Sequence, residues 1–267
     1  MPLLGAFIVP HPPLIIPEVG RGEQRKIQST INAFEKVAKT ISKLKPDTII
    51  ISSPHANSYY DYFHISPGKS ATGNFLNFGA NVNIETNYDN ELVDEITNNA
   101  KDNNFPAGKK GEKASNLDHG TMIPMYFINK YYSDYKTIRL SLSGLSLNKH
   151  FEFGKVIYET IKNKDKKYVY IASGDLSHKL KKDGPYGFAK EGPVFDKRIT
   201  EIIENNNLSA MLEFDDKFLN KAAECGLRSF VIMAGVLDNY DFKSNLLAYE
   251  GPFGVGYSVG SFLPKDK

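Results

Sequence analysis

Apolar residues fall along this chain in two rhythms. Short unbroken runs stopped by a breaker read as strands buried on both faces, and spacings of three and four read as helices with one apolar stripe. The first run, Gly5–Leu14 (GAFIVPHPPL), is cut at His11 between Pro10 and the pair Pro12 and Pro13; proline has no N–H to give a sheet ladder, so the strand ends there. Glu23–Leu44 then sets Ile27, Ile31, Phe34, Val37, Ile41 and Leu44 on one helical face, closed by Lys45 and Pro46. Asp47–His55 (DTIIISSPH) repeats the first design, a β-branched strand running into Ser52, Ser53, Pro54 and a histidine. Strand, helix, strand is a βαβ unit, expected to be parallel with a right-handed crossover.

The rhythm continues less evenly. Ala56–Ile84 is aromatic, polar and glycine-rich, which predicts short strands and loops; His64 alternates there with Phe63 and Ile65, as a half-exposed strand position would. Asp89–Asn103 predicts a helix with Asp89 as its N-cap, and the lysine-rich stretch Phe105–Asn116 an exposed loop. Leu117–Tyr132 reads as an apolar helix with Pro124 in its first turn. Lys136–Ser143 predicts a strand and Phe151–Lys162 a helix, with His150 ahead of it facing solvent. Lys167–Ser173 is a further buried strand, followed by Gly174, where the backbone can turn sharply, then Asp175 and His178. A glycine- and proline-rich loop, Lys181–Pro193, is long enough for a lid. Helices follow at Val194–Glu204, around Leu208–Phe214 and within Ala222–Leu237, then strands at Ser244–Tyr249 and Val255–Phe262 around the turn that begins at Glu250.

Alternating strands and helices place the chain in the α/β class, and no linker composition divides it, so residues 1–267 are expected to form one domain. The 41% hydrophobic, 12% aromatic and 24% charged content is that of an ordinary globular protein. A net charge of +2 gives no field for nucleic acid. The apolar start lacks a basic leader and is broken by prolines, so neither export nor a membrane is expected and the cytoplasm is the expected compartment. One cysteine, Cys225, excludes an internal disulfide framework and any multi-cysteine zinc site, which leaves metal binding mainly to histidines and carboxylates.

In open α/β sheets ligands bind beyond the carboxyl ends of the strands. His11, His55 and the pair Asp175 and His178 each follow such an end. His119 opens the Leu117–Tyr132 helix, where it could orient an anion or a metal-bound group while Asp118 could equally be a cap. Glu224 precedes another helix; the dipole there accounts for a carboxylate by itself, and also keeps it ionised as a ligand must be. Two imidazoles and a carboxylate make the non-haem Fe(II) oxygenase set, with His178 free to move protons. The same parts suit metal-dependent hydrolysis.

Taken in order, His11 in HPPL, His55 in SPH, LDHGT at 117–121, GDLSH at 174–178, ECGLRS at 224–229 and YEGPFGVGY at 249–257 resemble the LigB-type class III extradiol ring-cleavage dioxygenase superfamily, nearest its branch related to Memo-like proteins. The resemblance implies a three-layer α/β/α sandwich around a mixed, largely parallel sheet. It implies Fe(II), with zinc or another divalent ion as the variant, held by His11, His55 and Glu224. His178 matches the acid/base and His119 a residue of the substrate or oxygen pocket, while Asp118, Asp175, Cys225 and Glu250 would support the ligands or touch substrate. A small aromatic substrate and O2 follow as partners. Memo-like relatives carry cysteine as the third ligand, so Glu224 and Cys225 compete here, and Glu224 is favoured because it ionises more readily near neutral pH. That branch also admits a metal-binding protein that meets a protein partner in a modification pathway without ring cleavage. Self-association is left open.

Overall fold

A six-stranded sheet divides two layers of helices in the computed structural model, which describes residues 2–113 and 116–265. In chain order the strands are β1 (Leu3–Val9), β2 (Thr48–Ser53), β3 (Phe63–His64), β4 (Ser70–Asn74), β5 (Asn83–Asn87), β6 (Ala107–Gly108), β7 (Lys136–Ser141), β8 (Tyr168–Ser173), β9 (Phe242–Glu250) and β10 (Tyr257–Pro264). The helices are α1 (Pro17–Gly20), α2 (Gln28–Leu44), α3 (Asn90–Asp102), α4 (His119–Asn129), α5 (Leu147–Ile161), α6 (Glu191–Glu204), α7 (Asp216–Ala222) and α8 (Leu227–Leu237). The sheet order is β7-β2-β8-β1-β10-β9; the first four strands are parallel, and β10 and β9 complete it antiparallel. This is the expected mixed, largely parallel α/β/α arrangement.

The layers follow from side chains that alternate across each strand. Phe7, Val9, Ile49, Ile51, Val169 and Ile171 pack with Phe34, Val37 and Ile41 of α2 and Ile123 and Phe127 of α4. Ala6, Ile8, Ile50, Tyr170 and Ala172 face the other way, onto Val93 and Ile96 of α3, Phe153 and Ile157 of α5 and Phe230 and Val231 of α8. Of the eleven residues of α8 only Arg228 is not buried, so this helix lies inside its layer. Asp89, Asp118, Ser146 and Asp215 cap α3, α4, α5 and α7 through side-chain oxygens, each cap contributing about 1 kcal/mol. Among the described residues no helix is long and apolar enough to cross a membrane.

Four local expectations are corrected. His64 is buried rather than half-exposed, its Nδ1 2.9 Å from the Lys110 carbonyl. His150 is also buried: α5 starts at Leu147, so the ring lies within the helix, with Nδ1 2.9 Å from the Ser146 carbonyl and Nε2 accepting the Ser143 N–H. The 105–116 stretch is not all loop, because Ala107–Gly108 pairs with β3; residues 114 and 115 lie outside the described residues. Pro124 sits inside α4 rather than in its first turn, since capping by Asp118 starts the helix at His119.

Candidate metal centre

β1, β2 and β8 run parallel in matched register, Val9 beside Ser173 and Ser52 beside Ala172, so all three leave the sheet at one rim. The residues just beyond them converge. His11 Nε2 and His55 Nε2 lie 3.1 Å apart, with the rings edge to face at 4.8 Å between centroids. Two nitrogens bonded to one ion at about 2.0–2.1 Å would themselves be separated by roughly 3 Å. Cys225 Sγ is 3.5 Å from His11 Nε2. Among the described residues, His11, His55 and Cys225 are the group whose ligand atoms lie together, all within 4.8 Å of one another.

Cys225, rather than Glu224, is therefore grouped with the imidazoles. Glu224 is half-buried and its Oε2 accepts the Leu227 N–H at 2.7 Å, which joins its carboxylate to the first turn of α8. The segment before α8 can lie against the end of β8 because glycines meet there: a Cβ on Gly174 would come 2.2 Å from the Gly226 Cα, and one on Gly226 2.9 Å from the Asp175 carbonyl. Gly174 thus serves close approach and not a left-handed turn, since it is not among the positive-φ glycines. Asp175 N–H then donates to Cys225 Sγ at 3.4 Å. Burial, with the charges of Asp175 and Glu224, pushes the Cys225 thiol well above its ordinary value. Such a thiol needs a cation beside it to ionise.

His11 is held at two points. Its backbone N–H donates to Asp175 Oδ1 at 2.7 Å, and its Nδ1 lies 3.0 Å from Ser173 Oγ. Asp175 is buried, which pushes its carboxyl up to about 7 despite that donor. His55 is positioned through Ser53, whose Oγ accepts the His55 N–H at 3.2 Å and donates to Asp118 Oδ1 at 2.6 Å. Asp118 also accepts from Thr121 N–H and Oγ1 and lies 3.7 Å from the Arg139 guanidinium. Asp118 is the cap of α4, and through Ser53 the same carboxylate also anchors the residue that positions His55.

His119 stands over His55, ring centroids 4.0 Å apart and tilted by 33°, and 5.4 Å from the His11 ring. His178 stacks on Tyr186 at 5.1 Å, and Phe78 meets His119 edge-on at 5.5 Å. Burial lowers all four histidines: His11 well below 6.5, His119 to about 4, and His55 and His178 in the same direction. Neighbouring imidazoles add to the effect, His55 acting on His11, His119 and His178. The rings are thus neutral near neutral pH, with lone pairs free for a cation or a proton.

Glu250, expected to support the ligands or touch substrate, is placed by the structure at the start of α2. Its Oε2 accepts both the N–H and the hydroxyl of Thr30 at 2.7 Å, satisfying the first turn of α2, whose own N-cap residue, Ile27, offers no side-chain acceptor. Ser53, Ser173, Phe78 and Tyr186 were not singled out from the sequence. The serines carry no signal beyond ending a strand, and the two aromatics only that of their aromatic or lid-like surroundings.

Residues 5–260 match the family described as "Catalytic LigB subunit of aromatic ring-opening dioxygenase". Protein CA_C1420 of Clostridium acetobutylicum is 39% identical over 267 residues, 97% of this chain and 57% of that protein, so the chain spans little more than half the length of this curated relative. The 2-aminophenol 1,6-dioxygenase beta subunit of a Pseudomonas species is 23% identical over 291 residues, 96% of this chain and 92% of that one. Among solved structures, the uncharacterized protein JW3007 from Escherichia coli K12 shares the fold with a TM-score of 0.59 at 13% identity, covering 97% of this chain and 99% of that one.

Proposed function

The chain belongs to the LigB family of aromatic ring-opening dioxygenases, and from that premise we propose that it opens the ring of a small catechol or aminophenol with O2, using Fe(II) held by His11, His55 and Cys225. The observation that carries the reading is the convergence of two neutral imidazole nitrogens 3.1 Å apart with a sulfur beside them, at the carboxyl rim of parallel strands. The donor set fits a divalent transition metal. Bound there, iron would supply the redox chemistry that couples an electron-rich ring to O2.

The remaining work belongs to the chain. His178, half-buried and so kept neutral near neutral pH, takes the proton of the substrate's phenolic oxygen and later returns it. His119, depressed further, stays an uncharged hydrogen-bonding group above His55 and orients the substrate's polar edge. Phe78 and Tyr186, exposed beside His119 and His178, are planar apolar surfaces on which a ring can lie. The 2-aminophenol acted on by the Pseudomonas relative makes vicinal amino and hydroxyl groups the first chemistry to try.

One observation favours a second reading. A sulfur in the third position, where oxygenases of the two-histidine set carry a carboxylate, also suits Zn(II), and with it water activation or metal-dependent partner binding without O2. The deciding experiment loads the protein with Fe(II) without air, admits O2 with a panel of catechols and 2-aminophenols, and follows O2 uptake and the absorbance of ring-opened products. Stoichiometric iron with neither signal across the panel refutes the oxygenase reading; hydrolytic turnover with Zn(II) in the absence of O2 establishes the other.

A further inference from the structure

A helix carbonyl ordinarily accepts the N–H four residues on, and proline has none. In α4 this leaves the carbonyl of Gly120 without its helical donor, four residues before Pro124. The vacant acceptor is used across the layers: Ser173, the last residue of β8, donates its hydroxyl to Gly120 O at 2.6 Å. A carbonyl can only accept, so the one hydroxyl proton of Ser173 points there. What Ser173 Oγ turns toward His11 Nδ1, 3.0 Å away, is lone-pair density.

That contact is attractive only if Nδ1 carries the proton. A neutral imidazole has one N–H, so Nε2 is left bare, and Nε2 is the atom that faces His55 Nε2 at 3.1 Å and Cys225 Sγ at 3.5 Å. The opposite tautomer would set two lone pairs against each other in a buried place and turn an N–H into the centre. Nearby backbone keeps the ring in register: Gly174 N–H donates to Val9 O at 3.0 Å and His11 N–H to Asp175 Oδ1 at 2.7 Å.

We infer that Ser173 is a positioning residue: oriented by the carbonyl that Pro124 leaves free, it fixes His11 as the Nδ1–H tautomer and so presents Nε2 to the metal. The inference rests on His11 being a ligand, and its first readout does not depend on metal. Long-range proton–nitrogen correlation spectra of the histidine rings are recorded on the metal-stripped full chain, for wild type, Ser173→Ala and Ser173→Thr. Zn(II) affinity is measured in parallel by chelator competition, with His11→Ala as control.

Wild type should show His11 protonated at Nδ1 and bare at Nε2. Ser173→Ala should mix or reverse the tautomers and weaken Zn(II) binding about 10–100-fold, the usual effect of removing a group that orients a ligand. Ser173→Thr, which keeps the hydroxyl, should restore both. An Nε2–H ring in wild type overturns the inference, and that measurement decides alone if Ser173→Ala does not fold. Unchanged tautomer and affinity in Ser173→Ala also overturn it, as does loss in Ala that Thr fails to rescue. Undiminished Zn(II) binding by His11→Ala would instead refute His11 as a ligand, leaving the tautomer result standing.

Discussion

Asp196 offers a quantitative test of how the segment bearing His178 is held. It lies on α6, 1% exposed, and its carboxylate accepts the Ser177 N–H at 2.8 Å and the Tyr249 hydroxyl at 2.7 Å. Both donors are neutral and favour the carboxylate, yet burial outweighs them and lifts the group from the usual 3.8 to about 7. Between those values the folded chain binds a proton that the unfolded chain has released, so stability falls as pH rises from about 4 to 7 and stays low above. A displacement of about three units, at 1.36 kcal/mol each, is about 4 kcal/mol as an upper figure, and roughly 2–4 kcal/mol is expected once the site relaxes. Asp196→Asn keeps the shape and stays neutral: its oxygen still accepts from Ser177, and its amide can donate to the Tyr249 oxygen. Urea unfolding of both proteins at pH 5 and pH 8, in one metal state, measures the difference. The variant should exceed wild type by about 1–2 kcal/mol at pH 5, where part of the displacement is already expressed, and by roughly 2–4 kcal/mol at pH 8, with the same denaturant slope. A difference equal at both pH values, or a variant weaker at pH 8, would refute the burial argument.

Three further outcomes rest on individual contacts. Cys225→Ala should lose bound metal by elemental analysis, whereas Glu224→Gln should retain it and lower stability by about 1 kcal/mol through a weaker α8 terminus; the reverse pattern would make Glu224 the ligand. Gly154→Ala should destabilise by about 1–3 kcal/mol in urea unfolding, because its Cβ would lie 2.1 Å from the Ile232 carbonyl where α5 crosses α8; an unchanged midpoint would mean that the crossing has slack. Glu250→Ala should cost about 1–2 kcal/mol by removing the acceptor for Thr30, with metal stoichiometry unaltered, and lost metal would return Glu250 to the centre.

His11 and His55 were legible because prolines and serines mark where their strands stop, and parallel strands that stop in register must deliver the next few residues to one rim. The alternation that sorts Ile49 and Ile51 from Ile50 reaches the sheet in the same way. The choice between Glu224 and Cys225 was not legible, since neighbouring residues differ in direction and the direction here comes from backbone contact between Gly174 and Gly226, 52 positions apart. The burial of His64 and His150 escapes a sequence reading for a related cause. Their partners are backbone groups of Lys110, Ser146 and Ser143, and backbone groups carry no letter in a sequence. Pro124 reads one turn too early from sequence because letters alone do not fix where the Asp118 cap starts the helix.

Cys225 Sγ meets a histidine 214 positions earlier in the chain, so no short piece of this polypeptide can assemble the centre. His11, His55 and Cys225 meet only where β1, β2, β8 and the start of α8 are all in place, a set of long-range pairings of the kind that forms slowly. An ion bound there would find its full set of ligands only in the assembled fold, and would then act as a latch, slowing unfolding more than it speeds refolding.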